Sequence, residues 1–209
     1  MWLRPLAAAA ATVTGEQLSR FLPPEDGGRE SAVLVLLGHS GHGPDLLLIE
    51  RAADMRSHAG QPAFPGGAVD PGDDGPVQAA LREAFEETGL DPAGVEVFAT
   101  LPTLWLPPSG FVVTPVLGWW RHPTAVWAAQ PAEVAAVHRV PVAELADPAN
   151  RLLVTHPSGY VGAAFRVRGM LVWGFTAGLL DRLLTLAGWE LAWDRARVEP
   201  LPPPLDQIS

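Results

Sequence analysis

Arg82-Glu83-Ala84-Phe85-Glu86-Glu87-Thr88-Gly89-Leu90 concentrates three carboxylates where the chain reads as the end of a helix. At about 100° per residue, Glu83, Glu86 and Glu87 fall on one narrow face and Leu81, Ala84, Phe85 and Thr88 on the opposite one, so the acids converge while the apolar residues anchor. Like charges three and four positions apart repel by a few tenths of a kcal/mol per pair. Gly89 marks a C-terminus, where the helix dipole also disfavours anions. Arg82 can pair with Glu86 one turn on, but one guanidinium cannot neutralise three carboxylates. A hard divalent cation such as Mg²⁺ or Mn²⁺, which prefers carboxylate oxygen and retains waters, supplies the remaining positive charge. Upstream, Phe64-Pro65-Gly66-Gly67-Ala68-Val69-Asp70 is a turn in which two adjacent glycines leave no Cβ, so backbone can approach a metal or a phosphate closely.

These groups need elements to hold them. Ala32 to Leu37 and Asp45 to Glu50 read as two strands of a hairpin, joined by the Gly-rich loop from Gly38 to Pro44. A long loop from Arg51 leads to the Gly-Gly turn, and Pro76, in the first helical turn after Asp74 or Gly75, starts the acidic helix. Further strands are expected at Val95 to Leu101, Phe111 to Trp120, Glu133 to Val137 and Ala163 to Val167, with a second helix from Leu171 to Trp189. The order predicts an α/β fold, a mixed sheet flanked by two helices in an α/β/α sandwich. Residues 1–29 read as an extension ending in a flexible turn, 30–195 as the folded domain and 196–209 as a proline-rich, extended tail.

Composition narrows the chemistry. With 209 residues and 48% hydrophobic content the chain suits one domain with extensions. It has no cysteine, which excludes disulfides, thiolate metal sites and a cysteine nucleophile, so metal ligands must be oxygen or histidine. A net charge of −9 argues against a nucleic-acid surface, since polynucleotide affinity comes from neutralising phosphates. All 14 Lys-plus-Arg positions are arginine, the residue suited to bidentate phosphate contacts. The apolar stretch after Arg4 is short and alanine-based, unlike an export signal, and the best candidate span, Gly162 to Leu180, carries Arg166 and Arg168. A cytoplasmic protein that does not span a membrane is expected.

Gly67, an acid at Asp73 or Asp74, and Arg82 to Leu90 together resemble the signature of the Nudix hydrolases, G-x5-E-x7-R-E-U-x-E-E-x-G-U, with U aliphatic. Asp replaces Glu at the early position. Asp73 fits its spacing from Gly67 and Asp74 its spacing to Arg82. The resemblance implies the same α/β/α fold, a bound Mg²⁺ or Mn²⁺, a small-molecule pyrophosphate substrate and possible homodimerisation. It also implies Glu83, Glu86 and Glu87 as metal ligands with the Gly67 carbonyl, Arg82 as their orienting partner, and a general base drawn either from the box or from a carboxylate outside it, for which Glu133 is the best candidate.

Leu48-Ile49-Glu50-Arg51, followed by Arg56-Ser57-His58-Ala59-Gly60-Gln61-Pro62-Ala63-Phe64-Pro65-Gly66-Gly67, is similar to the extra motif of the coenzyme A pyrophosphatase branch, L-L-T-x-R-S then R-x3-G-x3-F-P-G-G. The second half matches at every fixed position; the first is looser. Segments after the box, Pro107 to Gly118 and Met170 to Thr176, extend the likeness, which runs from Ala32 to Leu184. It implies cleavage of coenzyme A to 3′,5′-ADP and 4′-phosphopantetheine. Arg51 and Arg56 are candidate phosphate ligands, or alternatively caps of the acidic face; His58, Gln61 and Phe111 complete the candidate substrate contacts. Competing readings are a Nudix hydrolase for a nucleotide sugar, ADP-ribose or a dinucleoside pyrophosphate, and a noncatalytic nucleotide sensor.

Overall fold

The computed structural model describes residues 2–24, 27–52, 60–107 and 109–202. Along the chain run α1 (Arg4–Ala10), α2 (Gly15–Leu18), β1 (Arg29–Ser40), β2 (Gly43–Arg51), β3 (Pro62–Ala63), β4 (Gly66–Ala68), α3 (Gly75–Thr88), β5 (Val95–Thr100), β6 (Leu104–Leu106), β7 (Phe111–Trp120), β8 (Val134–Pro141), α4 (Val142–Ala146), β9 (Arg151–Thr155), β10 (Val161–Val167), β11 (Met170–Val172), α5 (Gly174–Leu186) and β12 (Val198–Pro200). Strands β1 to β8 form one mixed sheet and β11-β10-β9-β12 a second. Among the described residues no helix is long and apolar enough to cross a membrane.

β1 is the axis of the larger sheet, antiparallel to β2 and parallel to β7. Its run of buried apolar residues is split by strand alternation: Ala32, Leu34 and Leu36 pack with Ala79, Ala80 and Ala84 of α3, whereas Val35 and Leu37 pack with the cluster that holds Leu179, Leu180 and Leu183 of α5. Both faces of the sheet are therefore covered, the expected sandwich. The predicted hairpin forms only at its turn end, with register Leu37↔Leu46 to Ser40↔Gly43. Beyond it β2 diverges from β1 while staying paired with β8 along its other edge, and β4 takes its place against Ser31–Val33. This fork carries the Gly-Gly turn to the side of the sheet where α3 lies.

Three expectations need correction. The second helix does not begin at Leu171: Arg168 and Gly169, both at positive φ, turn β10 into β11, and Gly174 opens the helix only afterwards. Ala163 to Val167 does not join the main sheet but is the centre of the second one, whose strand β9 has no counterpart among the expected elements. Residues before Arg29 do not stand apart from the core. Leu3, Leu6, Ala10, Val13 and Leu18 are buried in the α5-side cluster, and the Trp2 and Trp189 rings meet at 5.2 Å. In the tail, Val198–Pro200 pairs parallel with β9.

Because Leu6 is fully buried, Leu6→Ala should destabilise the whole domain by about 2–4 kcal/mol in urea unfolding, with a single transition retained. A loss under about 0.5 kcal/mol would mean that α1 is not part of the cooperative unit.

Candidate active site

Arg82 organises the acids. Its Nε and Nη2 donate to both oxygens of Asp73 at 3.0 and 2.9 Å, Nη1 to Glu83 at 2.9 Å and Glu86 at 3.3 Å, and Nη2 to the Ala68 carbonyl at 3.1 Å. The bidentate bond settles which early acid matters. Asp73 is the anchor, held below the usual carboxylate range by the guanidinium and by the Asp70 N–H, while Asp74 is the N-cap residue of α3. The extra residue before Arg82 is absorbed at the helix start. The same bonds raise the already high pKa of Arg82.

The acidic face is turned differently from the sequence expectation. Ala80, Ala84, Glu87 and Thr88 are buried, whereas Phe85, expected as an anchor, is 55% exposed, so Glu87 lies on the packed side and Glu86 on the open side. Glu87 is only 2% exposed and accepts the Gly66 N–H at 3.0 Å. Burial, with the like charges of Glu83 and Glu133, pushes its pKa up to about 8 against the opposing pull of that N–H and of Arg51. Burial also raises Glu83, opposed by Arg82 and reinforced by Glu86 and Glu133. The glycines are required by contact. A Cβ on Gly66 would come within 2.3 Å of the Ala32 carbonyl oxygen, and one on Gly67 within 2.5 Å of the Glu83 carboxyl. The missing Cβ of Gly67 leaves a cradle against Glu83.

A divalent cation fits this donor set: half-buried and buried carboxylates, mutually repelling, beside a backbone turn with no side chain. Among the described residues no three His, Asp or Glu side chains stand preassembled as a metal cage, because Arg82 holds Glu83 and Glu86 while Gly66 holds Glu87.

Arg51 and Glu133 join the box. The charge of Arg51 acts on Glu87, and its buried Nε has no hydrogen-bond partner among the described residues. Its main-chain N–H donates to the Gln61 carbonyl at 3.1 Å and its carbonyl accepts the Gly60 N–H at 3.1 Å, closing the base of the loop between them. Arg56 and His58 lie in that loop, outside the described residues. Phe111 is not brought to the acids; its ring lies 4.3 Å under the Arg29 guanidinium, at the start of β7. Strand alternation explains Glu50: it points to the face opposite Arg51 and meets His138 at 3.4 Å, outside the acidic cluster. Sequence reasoning missed the strap before Glu133, where Trp127 and Ala129 donate main-chain N–H groups to the Thr88 and Glu87 carbonyls, each at 3.0 Å. Gly89 at φ 66 lets the Trp127 ring pack over the helix end, where a Cβ would sit 2.7 Å from it. No local pattern marks such a strap; Gln130, three residues before Glu133, was its one polar cue.

The raised Glu87 pKa has a definite sign in stability. The folded state binds this proton more tightly than the unfolded chain, so in EDTA stability falls as pH rises from about 4.5 through about 8, by on the order of a few kcal/mol in all. Glu87→Gln should match the parent near pH 5 and exceed it near pH 9. Denaturation midpoints that differ equally at both pH values would show that burial of the Glu87 charge is not the cause.

A NUDIX domain model matches residues 28–159. An uncharacterized Nudix hydrolase, NudL, from Citrobacter koseri is 40% identical over 183 residues, covering 84% of this chain and 88% of that protein. NudL from Cronobacter sakazakii is 43% identical over 167 residues, covering 77% and 83%. In fold, the chain is similar to the crystal structure of RenU, a Nudix hydrolase from M. smegmatis, with a TM-score of 0.56 at 21% identity over 84% of this chain and 98% of that one. With Asp73, Arg82 and the three glutamates assembled around the Gly-Gly turn, this chain belongs to the Nudix hydrolase family.

Proposed function

We propose that this Nudix hydrolase cleaves the diphosphate of coenzyme A, or of an acylated or oxidised derivative, giving 3′,5′-ADP and 4′-phosphopantetheine or its modified form. The observation that carries the reading is the Arg56 to Gly67 segment, which matches the coenzyme A pyrophosphatase motif at each fixed position and leads directly into the glycine turn against Glu83. The diphosphate and the 3′-phosphate together demand several cations from an acidic protein, and Arg51 and Arg56 flank the box to supply them.

Glu83 and Glu87, one helical turn apart, would hold a Mg²⁺ or Mn²⁺ with the Gly67 carbonyl, and Glu86 would serve as a third ligand. Bound there, the ion supplies Lewis acidity, drawing charge from the diphosphate and making a water easier to deprotonate. Arg82, fixed by Asp73, keeps Glu83 and Glu86 in place. Arg51, whose charge reaches Glu87, contributes its guanidinium to a phosphate oxygen. Glu133, whose charge acts on both Glu83 and Glu87, takes the proton from the attacking water as the new P–O bond forms and the bridging P–O bond breaks. The bridging oxygen leaves on the departing phosphate, so the reaction consumes one water and needs no other reactant.

A turnover panel of coenzyme A, dephospho-coenzyme A, ADP-ribose and diadenosine polyphosphates with each metal, products identified by mass spectrometry, tests the substrate. Coenzyme A should be the fastest and dephospho-coenzyme A slower; faster turnover of ADP-ribose or a dinucleoside would move the enzyme to another substrate class. Arg56→Ala should raise KM about 10- to 100-fold with little change in kcat, the loss of one charge-assisted contact. Glu83→Gln should instead lower kcat by on the order of 100-fold. An unchanged KM for Arg56→Ala would remove that residue from recognition.

A further inference from the structure

Glu133 is held by more than its place in the chain. Its own N–H and that of Val134 both donate to the Gln130 carbonyl at 2.9 Å, and its carbonyl accepts the Ala52 N–H at 2.8 Å, which ties it to the end of β2 beside Arg51. The strap's bonds to the Glu87 and Thr88 carbonyls tie the same segment to α3. These main-chain bonds fix where the side chain starts but not where its carboxylate goes, since glutamate keeps rotational freedom about three side-chain bonds. One group addresses that freedom: the Gln130 side-chain amide donates to Glu133 Oε1 at 3.1 Å.

We propose that Gln130 is the positioning residue that aims the Glu133 carboxylate at the reaction centre, an inference that rests on Glu133 being the proton acceptor. The amide occupies Oε1, and Oε2, which has no hydrogen-bond partner among the described residues, accepts from the attacking water. Being neutral, the amide orients the carboxylate without placing a counter-charge on it. Gln130 is itself exposed, and the turn's hydrogen bonds run through its main chain, so the side chain has no second task in the fold.

Gln130→Leu keeps the side-chain size and removes the donor. With the best substrate of the panel and saturating Mg²⁺, it should lower kcat about tenfold, leave KM within about twofold and leave thermal unfolding unchanged. Glu133→Ala should lower kcat about 100-fold or more, and adding Gln130→Leu to it should cause no further loss, because nothing remains to aim. If Gln130→Leu alone keeps full kcat while Glu133→Ala loses it, the positioning role is wrong and the base assignment stands. Full kcat in Glu133→Ala overturns the base assignment and this inference with it. A further kcat loss in the double variant equal to that in the single one would show that Gln130 acts through the fold rather than through Glu133.

Discussion

The structure around the box depends on one guanidinium serving more carboxylates than it can neutralise. All five N–H donors of Arg82 have acceptors: two for Asp73, one each for Glu83 and Glu86, and one for the Ala68 carbonyl. Lysine, a point charge with three donors, could not bridge the turn before α3, the Gly-Gly strand and two positions of the helix face at once. Asp73 takes the bidentate share, and among the described residues no arginine hydrogen-bonds Glu87. It sits in the packed side of the helix, where it accepts the neutral Gly66 N–H. Burial, reinforced by the nearby charges of Glu83 and Glu133, raises its pKa to about 8.

Placement of Gly66 and Gly67 follows from the fork in the sheet. Where β2 departs from β1, the vacated edge of β1 accepts β4, and the Leu34 N–H bonds the Pro65 carbonyl at 2.8 Å. Main-chain pairing thus brings the turn so close that Cβ atoms at both glycines would collide, one with β1 and the other with Glu83. On its other edge β2 stays paired with β8 as far as Arg51. There Ala135 is left unpaired between Ala136 and Val134, and the ladder resumes with Arg51 opposite Val134, next to Glu133. Both the glycine turn and Glu133 thereby come within reach of Glu83 and Glu87.

What the sequence made legible were the features set by local rules. The acidic helix began and ended where proline and glycine chemistry places it, Gly75–Thr88 with Gly89 in the left-handed cap, and β1, β2 and β7 followed their apolar runs. The helix face did not follow, because a 100° wheel shows which residues share a side but not which side meets the sheet. Phe85 went to solvent and Glu87 inside, against hydrophobicity alone. Leu171 and Val172 merged with the following helix in the sequence because only Trp173 lies between the short strand Met170–Val172 and Gly174, which opens the helix. The N-terminal helix looked like an appendage because its alanines carry no periodic signal. Its docking rests on Leu3, Leu6 and Ala10 meeting α5, a partner far away in the chain. Asp73 over Asp74 was undecidable from spacing, since each satisfied one interval; the contact with Arg82 decides it.

Acids from three separate stretches, Asp70 and Asp73, Glu83 to Glu87, and Glu133, meet only in the folded chain. The unfolded chain holds them apart in water, where each is ionised at little cost. Folding gathers them in a chain whose net charge is already −9. Relief of the repulsion between these charges on arrival of a proton or a divalent ion adds to cation affinity, so the charge crowding that weakens the apo domain also favours binding. Hydrophobic packing on both faces of β1, together with the docked N-terminal helix, supplies the stability that lets the site stay so unevenly charged.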